Sequence, residues 1–130
     1  MVMNGSALVE SLRPQVQELD VAALKKIMQQ NPQALVIDIR EVAETDAGSI
    51  AGALLIPRGI LEMHINSHKC ITERFASIEL LAEQPVYLLC RSGARSVLSA
   101  FSLQMMGFKD AYSVAGGFLA WQAAGYACAT

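Results

Sequence analysis

Four short apolar runs, Ala34 to Ile39 (ALVIDI), Ala53 to Ile56 (ALLI), Val86 to Leu89 (VYLL) and Ala111 to Val114 (AYSV), are separated by stretches whose apolar residues recur at helical spacing. A strand that reads as a nearly continuous hydrophobic run is covered on both faces, as in a parallel sheet, and parallel neighbours need crossover connections, usually helices. The chain is therefore expected to be α/β: a small, mostly parallel sheet with right-handed crossovers and helices on both faces, three layers in all.

The helical stretches have legible ends. Asp20 is a natural N-cap for Val21, Ala22, Leu24, Ile27 and Met28, and Asn31-Pro32 stops them. Glu41 to Asp46 reads as a short acidic helix or loop ended by Gly48, Arg58 to His64 as one or two turns, and Ile71 to Glu83 as a helix broken by Pro85. Ala94 to Met106 is almost wholly apolar, with Ser96, Ser99 and Ser102 as its polar stripe, so it must be deeply packed before Gly107 ends it. Gly116-Gly117 opens a last helix in which Phe118 and Trp121 are expected to be core anchors.

A chain of 130 residues, 53% of them hydrophobic, is one domain's worth and can bury a core without disulfides or a structural metal. Residues 1–17 read as an N-terminal extension and 18–130 as the domain. Ten Lys plus Arg against twelve Asp plus Glu, with no like-charge run longer than Lys25-Lys26, leaves no electrostatic footprint for nucleic acid. Cys70, Cys90 and Cys128 cannot all pair and lack zinc-ribbon spacing, so reduced thiols and a cytoplasmic location are expected. The N-terminus has neither a basic segment nor a long apolar core, so no secretory signal is read there. Residues 111–130 carry no charge, but Ser113, Gly116, Gly117, Gln122 and Gly125 interrupt them, which favours a strand and a helix over a membrane span.

The chemistry concentrates where the run VYLL ends, because ligands in open α/β sheets sit beyond the carboxyl ends of strands. There the sequence is Cys90-Arg91-Ser92-Gly93-Ala94-Arg95-Ser96. A short loop containing glycine and opening directly into a helix can turn successive N–H groups inward as an anion-binding nest. Cys90 stands at its rim, where the helix N-terminus and the guanidinium groups of Arg91 and Arg95 favour a thiolate over the thiol.

From about Val36 to Trp121 the chain resembles the rhodanese-like sulfurtransferase domain family. VIDIREVAETDAGSIAGALLIP, from Val36 to Pro57, is similar to the family's first signature, and PVYLLCRSGARS with the later GF and AGGFLAW to its active-site loop and C-terminal signature. The resemblance implies a sulfurtransferase in which Cys90 carries sulfane sulfur as a persulfide, from thiosulfate or a protein persulfide to a thiophilic acceptor. It also implies that Arg91, Ser92, Gly93, Ala94, Arg95 and Ser96 cradle the persulfide and the anionic donor, with no metal or organic cofactor. The alternative it leaves is a non-enzymatic persulfide carrier or regulatory binding module. Arg40 and Glu44 match a family pair that braces the fold by charge pairing, and with Asp38 they are expected to be structural. Where the family often has Gly-His-Ile-Pro-Gly-Ala, this chain has Gly48-Ser49-Ile50-Ala51-Gly52-Ala53, so no histidine role carries over. Related phosphatases place five residues between Cys and Arg; here there are four, and Ser96 stands where the phosphatase arginine would be.

Other candidates carry less. His64 and His68 share a helical face near Cys70, but no second cluster completes a metal site. Cys128 could act as a resolving thiol, but a frayed, uninvolved tail is the expectation.

Overall fold

The computed structural model describes residues 1–129. Its sheet has five strands, β1 (Gln17–Leu19), β2 (Leu35–Asp38), β3 (Leu54–Leu55), β4 (Val86–Leu89) and β5 (Ala111–Val114), in the order β1-β5-β4-β2-β3 with every neighbouring pair parallel. Among the described residues eight α-helices connect or flank them: α1 (Gly5–Leu12), α2 (Val21–Gln30), α3 (Val42–Asp46), α4 (Leu61–His64), α5 (Lys69–Thr72), α6 (Ile78–Ala82), α7 (Ala94–Met106) and α8 (Gly117–Ala123). The fold is α/β in three layers, as the alternation of runs predicts.

Strand alternation sorts the core into two halves. Leu35, Ile37, Val86, Leu88, Cys90 and Ala111 face Leu61, Ile65, Leu81, Ala100 and Leu103 on one side, and Val36, Tyr87, Leu89 and Val114 face Leu24, Phe118 and Trp121 on the other. β2 and β4 are fully buried, which explains why they read as continuous apolar runs. Asp20 caps α2 as expected, its carboxylate accepting the Ala23 N–H at 2.8 Å. Among the described residues no helix is long and apolar enough to cross a membrane.

Four details depart from the sequence reading. The helix read from Ile71 to Glu83 is two, α5 and α6, because Ser77 starts a new helix by accepting the Leu80 N–H and Phe75 turns in against the core between them. β1 escaped the sequence reading: a half-exposed edge strand that pairs only with β5 needs no apolar run. The tail is not frayed as far as it is described, since Ser49 and Ala129 exchange backbone hydrogen bonds of 2.8 and 2.7 Å and the Trp121 indole donates to the Ala127 carbonyl at 2.9 Å. Residues 1–17, set apart in the sequence, hold α1, whose Val9 is buried and which packs on α7.

Candidate active site

β4 and β5 are adjacent parallel strands, so their carboxyl ends open side by side onto the N-termini of α7 and α8. Cys90 is the first residue past β4 and only 1% exposed, so its sulfur lies beneath the loop rather than at the rim. Two backbone N–H groups donate to Cys90 Sγ, from Gly93 at 3.1 Å and from Ser96 at 3.4 Å, and Ser96 Oγ lies 3.3 Å away. Ser96 is fully buried and its hydroxyl shares a 2.7 Å hydrogen bond with Ser113 on β5.

Glycine is needed at two places. Gly93 caps α7 at φ +99°, a conformation that L side chains rarely adopt, and its buried N–H is the one that reaches the sulfur. Gly117 has φ +58°, and a Cβ there would lie 2.5 Å from the Cys90 carbonyl oxygen and 2.6 Å from Arg91 backbone atoms. The close approach lets α8 hold the loop from below: Phe118 N–H donates to the Cys90 carbonyl at 2.8 Å and Leu119 N–H to the Arg91 carbonyl at 3.0 Å. The N-terminus of α8 is thus consumed by the loop backbone, while that of α7 faces the sulfur.

The arginines of the site separate. Arg91 is exposed, has no ion-pair partner among the described residues, and borders a cavity of about 300 Å³ with Arg40, Glu44, Phe118 and Leu119. Arg95 is held fork to fork by Glu44, with N···O distances of 2.8 and 2.9 Å. That hydrogen bonding, more than any other influence, keeps the Glu44 carboxyl at about 2 and raises Arg95 above the ordinary arginine value. The braces expected between Arg40 and Glu44 are therefore two different pairs. Arg40 instead grips Asp38, with Nε and Nη2 reaching the carboxylate at 2.8 to 3.2 Å, and reaches the Gly48 carbonyl at 2.7 Å. A two-residue spacing beyond the strand end curls Arg40 back over Asp38 and leaves Glu44, on α3, to face α7.

Ser92 and Ala94 are exposed on the loop and Gly93 is buried in it, so the segment from Cys90 to Ser96 is brought together as read. Sequence reasoning missed Ser113, Gly117 as the seat of the loop, and Glu44 as the partner of Arg95. Only the glycine pair 116–117 left a visible mark. His64 and His68 rings meet edge to face at 5.7 Å, but His68 Nδ1 accepts the Cys70 N–H, and among the described residues no His, Cys, Asp or Glu cluster could hold a metal. Burial, then the charge of His64, pushes His68 below the ordinary histidine range. Cys70 and Cys128 are exposed.

The family model described as Rhodanese-like domain matches residues 20–124. A sulfurtransferase of Allochromatium vinosum is 28% identical over 82% of this chain and 88% of its own length. The thiosulfate sulfurtransferase GlpE of Pseudoalteromonas translucida is 31% identical over 69% of this chain and 74% of its own length. A solved structure from Rhodopseudomonas palustris, described as a protein of unknown function and possible tyrosine phosphatase, superposes with a TM-score of 0.83 at 25% identity, covering 99% of this chain and 96% of its own. Some relatives are longer: the chain spans 51% of the Bacillus subtilis protein YrkF, to which it is 27% identical over 82% of its own length.

Proposed function

This chain belongs to the rhodanese-like domain family, and on that premise we propose that it moves sulfane sulfur through a persulfide on Cys90. The observation that carries the reading is a lone sulfur that accepts the Gly93 and Ser96 N–H groups at the N-terminus of a thirteen-residue helix. Such a setting stabilises the thiolate, and later the persulfide anion, by hydrogen bonding and by the helix dipole. Four further N–H groups of the loop and first turn, on Arg91, Ser92, Ala94 and Arg95, have no protein acceptor among the described residues and can meet an anion.

With thiosulfate as donor, the Cys90 thiolate attacks the outer sulfur, an S–S bond forms, the bond to the sulfonate breaks, and sulfite leaves with the electron pair. A thiophilic acceptor such as cyanide or a thiolate then attacks the terminal sulfur and regenerates the Cys90 thiolate. Arg91, with its guanidinium free, is the group that draws an anionic donor toward the loop. No metal or organic cofactor is needed for either step. A persulfide on a protein partner enters the same scheme with its thiolate as leaving group, and a cytoplasmic setting suits reduced thiols.

The likeness to the Rhodopseudomonas protein, a possible tyrosine phosphatase, raises a phosphatase reading. It is disfavoured because the loop has four residues between Cys90 and Arg95, and because Arg95 is turned to Glu44 rather than left free to clasp a phosphoryl group. Incubation with thiosulfate is expected to make the protein heavier by one sulfur atom, removable by cyanide with release of thiocyanate, and Cys90→Ser to abolish both. Loading without turnover would assign the chain to the non-enzymatic carriers. Hydrolysis of an aryl phosphate with no loading would reverse the choice between sulfur and phosphate.

A further inference from the structure

We propose that Ser113 is a positioning residue for the reacting sulfur: acting through the Ser96 hydroxyl, it favours the ionised form of Cys90. The inference rests on the reading of Cys90 as the sulfur carrier and adds a residue 23 positions away on the neighbouring strand. Ser113 Oγ, Ser96 Oγ and Cys90 Sγ form a row with separations of 2.7 and 3.3 Å. Ser96 and Ser113 are fully buried and Cys90 is 1% exposed. Among the described residues neither hydroxyl has any other hydrogen-bond partner.

A proton count makes the row directional. Three heavy atoms joined by two links have room for two hydrogens between them. With Cys90 as a thiol the row carries three: if S–H donates to Ser96, then Ser96 donates to Ser113, and the Ser113 hydrogen is left without an acceptor in a sealed interior. With Cys90 as a thiolate the row carries two. Ser113 donates to Ser96, Ser96 donates to the sulfur, and every hydrogen is used, alongside the N–H groups of Gly93 and Ser96. Loss of the thiol proton to solvent therefore turns both hydroxyls toward the sulfur and removes an orphaned donor. Without the Ser113 hydroxyl the count still leaves one orphan with the thiol and none with the thiolate, so what the variant removes is the donor that polarises the Ser96 hydroxyl and aims its hydrogen at the sulfur.

The far-ultraviolet absorbance of the thiolate, followed against pH with the Cys90→Ser trace subtracted, reads the ionisation directly. Ser113→Ala is expected to move the midpoint upward, leaving about five- to tenfold less thiolate at pH values below it, while the alkaline plateau is unchanged. Ser113→Thr, which restores a hydroxyl, should recover the wild-type midpoint. Ser96→Ala should shift the midpoint as well, and adding Ser113→Ala to it should change nothing more, because the relay is already cut; circular dichroism checks that each variant is folded. An unmoved midpoint in Ser113→Ala, or full additivity of the two serine variants, overturns the proposal, and the double variant decides the matter even if the threonine is not accommodated. The readout does not depend on sulfur transfer. Normal sulfur loading with an unmoved midpoint removes the relay and leaves the function standing, whereas a moved midpoint with no loading does the reverse.

Discussion

Removing the Asp38 carboxylate is expected to destabilise this domain more than any other single polar change outside the loop. Asp38 is wholly buried and Arg40 is 5% exposed, and their contact includes two side-chain nitrogens and the Arg40 backbone N–H at 3.1 Å. Asp38→Ala strands a guanidinium that keeps only the Gly48 carbonyl at 2.7 Å, a long 3.5 Å contact to the Glu44 carbonyl, and the Phe118 ring 4.0 Å below it. Breaking one side of a buried pair costs about 3–5 kcal/mol. For 130 residues the unfolding entropy is about 0.27 kcal/mol/K, so the melting temperature should fall by about 11–18 °C. Thermal and urea unfolding followed by circular dichroism measure it. Replacing both partners with apolar residues, Asp38→Leu with Arg40→Met, should recover at least half of the loss, since neither ion is then left buried. A fall of less than about 4 °C, roughly 1 kcal/mol, would refute the view that this pair must stay matched. Sulfur loading per folded molecule should be unchanged in Asp38→Ala.

The Glu44–Arg95 pair makes a smaller, pH-dependent contribution. Because the Glu44 carboxyl sits at about 2 against an ordinary 4.5, its contribution is complete above pH 4.5 and is lost as pH falls through about 2. With side chains 28% and 34% exposed, solvent screening reduces it to on the order of 1 kcal/mol, and Glu44→Gln should flatten that part of a stability-against-pH curve. Gly117→Ala should disrupt the loop, because the new methyl meets the Cys90 carbonyl at 2.5 Å; thiolate formation and sulfur loading should both fail even where circular dichroism shows a folded sheet. Arg91→Ala should leave stability within about 0.5 kcal/mol while raising KM for thiosulfate, and the wild-type rate at low thiosulfate should fall with added salt as the Debye length shortens to about 8 Å.

The loop from Cys90 to Ser96 was legible because what marks it is contiguous, a buried strand end, one glycine at positive φ and the first turn of a helix, whereas its seat on α8 was not. The layers were legible for a similar reason, since each strand of the sheet's middle announces its own burial. Contacts between distant positions were not. Arg95 meets Glu44 across 51 residues, and Ser96 meets Ser113 only because β5 lies next to β4, an order that no local pattern states. A serine in a buried strand looks like a neutral filler until its neighbour's hydroxyl is seen. β1 and the break between α5 and α6 were missed because an edge strand needs no apolar run and because Ser77 is as good a start to a new helix as a member of an old one.

The strand order also sets a timetable for synthesis. β1 holds residues 17–19, yet its sole partner is β5 at 111–114, so the earliest strand made waits for the latest one. At about 5–20 residues per second, the ribosome takes on the order of 5–20 s to deliver that partner, during which the buried strands β2 and β4 lack their full cover. The seat of the Cys90 loop comes later still, with Gly117 and α8. On the reading of Cys90 as the sulfur carrier, a nascent chain holds it in a loop without a seat until α8 docks against the Cys90 and Arg91 carbonyls. Truncation just before α8 would yield a chain with all five strands and no seat for the Cys90 loop.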